Sequence, residues 1–208
     1  MQSLKSQILD RGAAFLQLPQ IQGRLDKQTV ADIASGKKEY FMADFYIRKR
    51  LQSTSGIVDI IKETDSLQAS VTNIDKAKLY PGVYLGLTAV GIGYGFDAAE
   101  QNADAISYTS AIKAAPLTPI KFVNSEFTLK SGGNVLLKAR TKRFLALTTT
   151  EHFIEGNDEN NLLLPIPKLI AGEKKIEALL EFGNNGAAMP EGNHFIEIRL
   201  MGAYIGDR

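Results

Sequence analysis

Cysteine and tryptophan are absent from the 208 residues, and histidine occurs only twice. Without thiols there is no cysteine nucleophile, no disulfide and no thiolate metal site. Neither sign of charge dominates. Lys and Arg number 24 against 23 Asp and Glu, a net charge of +1, whereas a dedicated nucleic-acid binder carries a clear basic excess. Long apolar runs are missing too. The longest candidate, Val83 to Phe96, is broken by Gly86, Gly91, Gly93 and Gly95, and a bilayer span needs roughly 18 apolar residues in a row. Lys5, Asp10 and Arg11 stand where a secretory leader would place its apolar core. The expectation is a chain made and kept soluble until it assembles with something.

What is present is ordinary in proportion, with 44% hydrophobic and 23% charged residues. That balance excludes a disordered or collagen-like chain, and the length suits one domain, or one domain with an extra arm. Two short helices are predicted first. One runs from about Ser3 to Leu16, with Ser3 as N-cap, a stripe of Leu4, Ile8, Gly12 and Phe15 at helical spacing, and Pro19 as the stop. The other runs from about Lys27 to Ser35, capped by Asp26, with Val30 and Ile33 facing inward and Gly36 closing it. Helices this short are marginal alone in water, so each must dock on the body or on a neighbouring molecule.

Past Asp44 the pattern turns extended. Strands are expected at Phe45–Leu51, Ile57–Ile61, Val83–Thr88, Pro119–Lys130, Val135–Leu137, Lys142–Thr149, Lys175–Phe182 and His194–Ile205. Ser131-Gly132-Gly133-Asn134 reads as the tight turn of a hairpin. Residues 98 to 115 read as a long loop carrying a short strand. Some eight closely spaced strands with no long helices between them give a mainly β fold, an antiparallel sandwich or barrel. Residues 1–44 form the helical arm and residues 45–208 the β-body.

Few constellations carry chemistry. Gly91-Ile92-Gly93-Tyr94-Gly95 lacks the G-x-G-x-x-G spacing of a phosphate-cradling loop, because Phe96 stands where the third glycine is needed. At strand spacing the three glycines instead make a bare stripe that a backbone or an aromatic ring can approach closely. His152 and His194 are separated by 41 intervening residues, without the paired ligands of a β-barrel metal site, and read as surface or rim histidines. No G-x-S-x-G elbow occurs. Glu151 with Glu155, or Asp158 with Glu159, would offer paired carboxylates for acid–base work on a sugar, but the polar stretch around them reads as solvated loop. The basic cluster is Arg48-Lys49-Arg50, with Lys37 and Lys38 nearby. Residues 1 to 60 hold nine basic against six acidic residues, leaving 15 against 17 for the rest. That surplus fits either a weak contact of the arm with nucleic acid or an acidic membrane, or an ordinary solvated strand face.

From ADFYIRKRLQSTSGIVDII, through VTNIDKAKLYPGVYLGLTAVGIGYG and NSEFTLKSGGNVLLKARTKRFL, to LLLPIPKLIAGEKKIEALLEF and NHFIEIRLMGAYIGDR, the order of features over residues 42 to 208 resembles jelly-roll virion proteins of bacterial viruses. The resemblance implies a single eight-stranded jelly roll acting as a structural protein of a virus particle, capsid or capsid-associated. It implies self-assembly in the host cytoplasm into the virion, with further copies and other virion proteins as partners. It brings no catalytic, cofactor-binding or metal-binding residue, so no enzyme activity, cofactor, metal or small-molecule substrate is expected. Two other readings stand beside it. One is a β-sandwich binding module for carbohydrate or a host surface, with Tyr94, Phe96 and Tyr108 as an aromatic platform. The other is a hydrolase using Glu151 and Glu155.

Overall fold

A computed structural model describes residues 3–108, 118–145, 161–183 and 188–207. In chain order the elements are α1 (Leu4–Leu16), α2 (Pro19–Gln22), α3 (Lys27–Ala34), β1 (Lys38–Arg50), β2 (Gly56–Asp59), β3 (Tyr84–Asp97), α4 (Ile120–Val123), β4 (Glu126–Ser131), β5 (Asn134–Arg140), β6 (Asn161–Ala171), β7 (Ile176–Phe182) and β8 (Asn193–Asp207). Short 3-10 turns stand at Ala103–Ala105 and Thr141–Phe144. The strands form two antiparallel four-stranded sheets, ordered β1-β8-β3-β6 and β2-β7-β4-β5. One hydrophobic cluster takes Ile47, Leu85, Ile198 and Ile170 from the first sheet and Val58, Phe127 and Leu180 from the second. The body is therefore mainly β and sandwich-like, with inward side chains of both sheets making a common core.

The N-terminal helices lie on the outer face of the first sheet. The Ser3 hydroxyl caps α1 by accepting the Ser6 N–H at 3.2 Å. Ile8 packs with Ala89 and Met201, and Leu16 with Ala203 and Ile205. Gly12 permits that seating, because a Cβ there would lie 2.5 Å from the Ala203 nitrogen and 2.9 Å from the Gly86 carbonyl oxygen. Helix α3 is fastened at its cap. The Asp26 carboxylate accepts the Thr29 N–H and hydroxyl, each at 2.7 Å, and the Tyr84 hydroxyl at 2.9 Å. Those bonds, led by the one from the Thr29 backbone, hold the Asp26 pKa down at about 2. Both expected helices are present and docked on their own chain. Pro19, read as a stop, also opens the four-residue α2, where a missing N–H costs nothing.

Several strand limits differ from expectation. Strand β1 starts at Lys38, seven residues before Phe45, and pairs with β8 from Asp207 onward. Its first half shows no polar alternation because Tyr40 and Met42 face the helices while Ala43 faces the core. Strand β6 carries Pro165 and Pro167 within it. It is an edge strand, and its pairing with β3 breaks between Lys168 and Leu163, where those prolines fall and no ladder N–H is needed. Pro119 to Val123 is a cap and short helix rather than the start of a strand. Residues 141–144 form a 3-10 turn rather than a strand, and 146–149 lie outside the described residues. Residues 98–108 hold a 3-10 turn and no strand, and 109–115 also lie outside.

Candidate functional site

Strand β1 places Arg48-Lys49-Arg50 at the wall of a cleft of about 370 Å³, completed by residues 64–72 and 101–104. That volume falls within the range of small-ligand sites. Alternation along β1 divides the basic run. Lys49 Nζ reaches Asp65, at 2.5 and 2.7 Å from its two oxygens. Asp65 also accepts the Lys62 N–H at 2.7 Å, so it ties the loop to the strand. Arg48 turns the other way. Its Nε donates to Glu197 at 2.7 Å, one Nη donates to the Ser70 carbonyl at 3.0 Å, and its guanidinium lies 5.4 Å from the ring centroids of both Tyr46 and Tyr108. Arg50 is exposed and makes a long 3.4 Å contact with Gln101 Oε1. Lys38 lies 3.9 Å from Asp207, and Lys37 is exposed. Two of the three central cations are thus held by internal carboxylates, and Arg50 is the cation presented to the cleft.

The loop that forms one wall is itself firmly built. Arg48 N–H donates to Val71 O at 2.8 Å, Tyr46 N–H to Asn73 Oδ1 at 2.7 Å, and Asn73 N–H to Tyr46 O at 3.2 Å. The free edge of β1 is covered there by residues 71–73 of the β2–β3 connection. Gln68, Gln101, Asn102 and Asp104 bring amides and a carboxylate to the cleft from separate loops. Sequence spacing carried no sign of this grouping; only the strand order brings those loops together. The cleft offers directed donors and acceptors suited to a polar ligand.

The glycine stripe behaves as anticipated. A Cβ on Gly93 would meet Tyr108 Cβ at 3.1 Å, and one on Gly95 would strike Ile106 at 2.4 Å. The 106–108 segment crosses the outer face of β3 in that bare track. The crossing separates the three aromatic residues read as a platform. Tyr94 points into the core at 1% exposure, with its ring 4.9 Å from Phe122. Phe96 lies against His194 at 5.3 Å, while Tyr108 sits on the opposite face of β3. A different aromatic set, not anticipated, forms where β1 meets β8. There Tyr204 lies 5.5 Å from Phe41 and 6.1 Å from Phe45.

His194 is not a surface or rim histidine; it is 5% exposed. Its Nε2 faces the Pro190 carbonyl at 2.9 Å, and a carbonyl can only accept, so Nε2 carries the proton. Nδ1 then accepts from the Tyr94 hydroxyl at 2.7 Å. Burial lowers the His194 pKa and the Pro190 carbonyl opposes that shift; burial raises the Tyr94 pKa. Both groups are neutral near pH 7, and together they tie the β7–β8 loop to β3. His152, Glu151, Glu155, Asp158 and Glu159 lie outside the described residues. Among the described residues no cluster of His, Asp and Glu is arranged to hold a metal ion, and no helix is long and apolar enough to cross a membrane.

No protein-family model, curated protein or solved structure matches this chain. The functional reading therefore stands on topology and surface chemistry alone.

Proposed function

We propose that the protein is a self-assembling structural subunit of a virus particle, capsid or capsid-associated, built on a single jelly roll. The observation that carries this reading is the strand order. Two Greek keys wound together place strands 1, 8, 3 and 6 in one sheet and 2, 7, 4 and 5 in the other, and that is the order of the two sheets. The N-terminal helices add an element outside this framework, supported on the β1-β8-β3-β6 sheet. Such a subunit acts by burying surface against further copies and other virion proteins, with no reaction step.

Sedimentation and electron microscopy of the purified chain test this. Concentration-dependent assembly into shells, rings or lattices is the expected result, and a strict monomer at high concentration would overturn it. A second reading, a binding module for carbohydrate or a host surface, is favoured by the polar cleft beside Arg50, Gln101 and Asn102. A glycan array separates the two, with binding abolished by Asn102→Ala expected under the second reading only.

A further inference from the structure

The two sheets differ in what covers them. The outer face of β1-β8-β3-β6 lies under the helices and under residues 106–108, whereas the outward side chains of β2-β7-β4-β5 are exposed on the edge strands β2 and β5 and mostly half-buried on β7 and β4, with none of the described helices lying on them. Register and burial define that face. Val58, Leu180, Phe127 and Ala139 point inward, so one cross-strand row outside reads Asp59, Leu179, Thr128, Lys138. The next row toward the β4–β5 turn reads Glu177, Lys130, Val135, and the row on the other side reads Ile57, Glu181, Glu126, Arg140.

Charge is graded across these rows. The β2-β7 half carries Asp59, Glu177 and Glu181 against Lys175, which lies 3.1 Å from Glu63 and 3.3 Å from Glu177, while the β4-β5 half carries Lys130, Lys138 and Arg140 against Glu126 and is followed by Lys142 and Arg143. Large apolar side chains stand exposed at both edges, Ile57 at 67% and Val135 at 57%. A face that is acidic along one side and basic along the other complements itself under a two-fold rotation.

We propose that the outer face of the β2-β7-β4-β5 sheet docks a second copy of this chain, about a two-fold axis lying between the faces and parallel to the strands. That rotation keeps the rows level and lays β2 over β5 and β7 over β4. Asp59 then faces Lys138 of the other copy, Glu177 faces Lys130, and Leu179 faces Thr128. The like-charge pair, Glu181 over Glu126, falls where Lys138 Nζ already lies 2.7 Å from Glu126. An axis across the strands would stack the acidic edge on the acidic edge, so charge selects between the two. Strands of four, seven, six and seven residues, spaced about 4.8 Å and rising about 3.4 Å per residue, give roughly 390 Å² of flat face per copy. Over both copies this is roughly 800 Å² of flat face, below the about 1,200 Å² of standard specific interfaces and in the range of weak, transient ones.

The pairing rests on the reading of the chain as self-associating, and the test separates the two. Sedimentation equilibrium would be run on the full chain, on Asp59→Lys, on Lys138→Glu and on an equimolar mixture of the two variants. Each variant alone places like charges opposite one another twice per dimer, and its dimer dissociation constant is expected to rise about tenfold or more. In the mixture the two introduced charges, opposite in sign, face each other, and the native Lys138 of one variant meets the native Asp59 of the other. A heterodimer within about threefold of the parent affinity is therefore expected. Going from about 0.05 to 0.5 M NaCl should weaken the parent dimer about tenfold, a measurement that needs no variant to fold. A parent chain that associates equally well at both salt concentrations and in both variants overturns this face and leaves the proposed function standing. A parent chain that stays monomeric overturns both.

Discussion

Replacing Gly12 by alanine sets two effects of opposite sign against each other. In the interior of an exposed helix the change stabilises by about 1 kcal/mol through helix propensity. Here the new methyl would lie 2.5 Å from the Ala203 nitrogen and 2.9 Å from the Gly86 carbonyl oxygen, both backbone atoms in the two central strands of the sheet. Those strands are held by ladders on both sides and do not yield, so α1 must rise by close to 1 Å. A gap of that size forfeits a quarter to a half of the dispersion contact of the side chains beneath. Ile8 and Leu16, 1% and 0% exposed, together represent about 5 kcal/mol of burial, so the lift removes roughly 1.3–2.5 kcal/mol. Subtracting the propensity gain leaves a net loss of about 1 kcal/mol, or some 2–4 °C in Tm for a chain of this size. Gly23→Ala is the matched control. Gly23 caps α2 at φ −62°, and its nearest neighbour to a new Cβ is 3.6 Å away, so it should gain about 0.5 kcal/mol. Urea unfolding followed by circular dichroism measures both. If Gly12→Ala is as stable as the parent or more so, α1 does not sit on the sheet as described.

Asp26→Ala removes the cap of α3 and should cost about 1 kcal/mol in the same unfolding assay. The Asp26 pKa, about 2 against an ordinary 3.8, adds a pH signature. Its contribution is complete above pH 4 and is lost as pH falls through 2, and Asp26→Ala should flatten the stability curve in that window. His194 acts higher. Its folded pKa lies below 6.5, so from pH 6.5 downward the unfolded chain takes up a proton that the fold refuses, and stability falls; His194→Asn should abolish that slope. Tyr94→Phe leaves the buried Nδ1 of His194 without its donor and should cost about 1–3 kcal/mol, read as a drop in thermal midpoint with no change in secondary structure.

How readily an element could be read from sequence follows from how many of its faces are buried. Strand β8 alternates Ile196, Ile198 and Leu200 against Glu197 and Arg199 in its first half, where residues outside it leave one side polar, and this stretch was legible. The start of β1 was not, because helices on one side and core on the other remove the polar half of the pattern. Strand β6 was legible as an outer strand through the order of features, although Pro165 and Pro167 break its alternation; an edge strand tolerates them and a central one would not. Gly91, Gly93 and Gly95 were legible as a track for something close, while the occupants are Asn161 at Gly91 and, at Gly93 and Gly95, Ile106 to Tyr108 about a dozen residues further on. That return also explains why Tyr94 and Tyr108, near in sequence, end on opposite sides of one strand. The cleft was legible only through its Arg48-Lys49-Arg50 wall. Asp65, Gln101, Asn102 and Asp104 arrive on separate connections, and no local pattern encodes their meeting.

The docked helices bear on how neighbouring subunits would engage. Tyr40, Leu16, Ile21 and Leu25 form a cluster with Ala203 and Ile205 on the outside of the β1-β8-β3-β6 sheet, so with α1 to α3 in place that part of the face is covered. A helix pair that left its own sheet would expose this cluster, and only an equivalent pair from another subunit restores the same contacts. The free energies of the closed and exchanged arrangements then differ mainly at the hinge and in the entropy of association. The hinge is the Ser35-Gly36-Lys37 turn before β1, where Gly36 holds φ +73°. A residue with a Cβ is strained in that conformation, so glycine at position 36 favours the tight return that places α3 on its own sheet. Gly36 thus sets the arm toward self-docking, and the pairing proposed above uses the β2-β7-β4-β5 face, which needs no element to move.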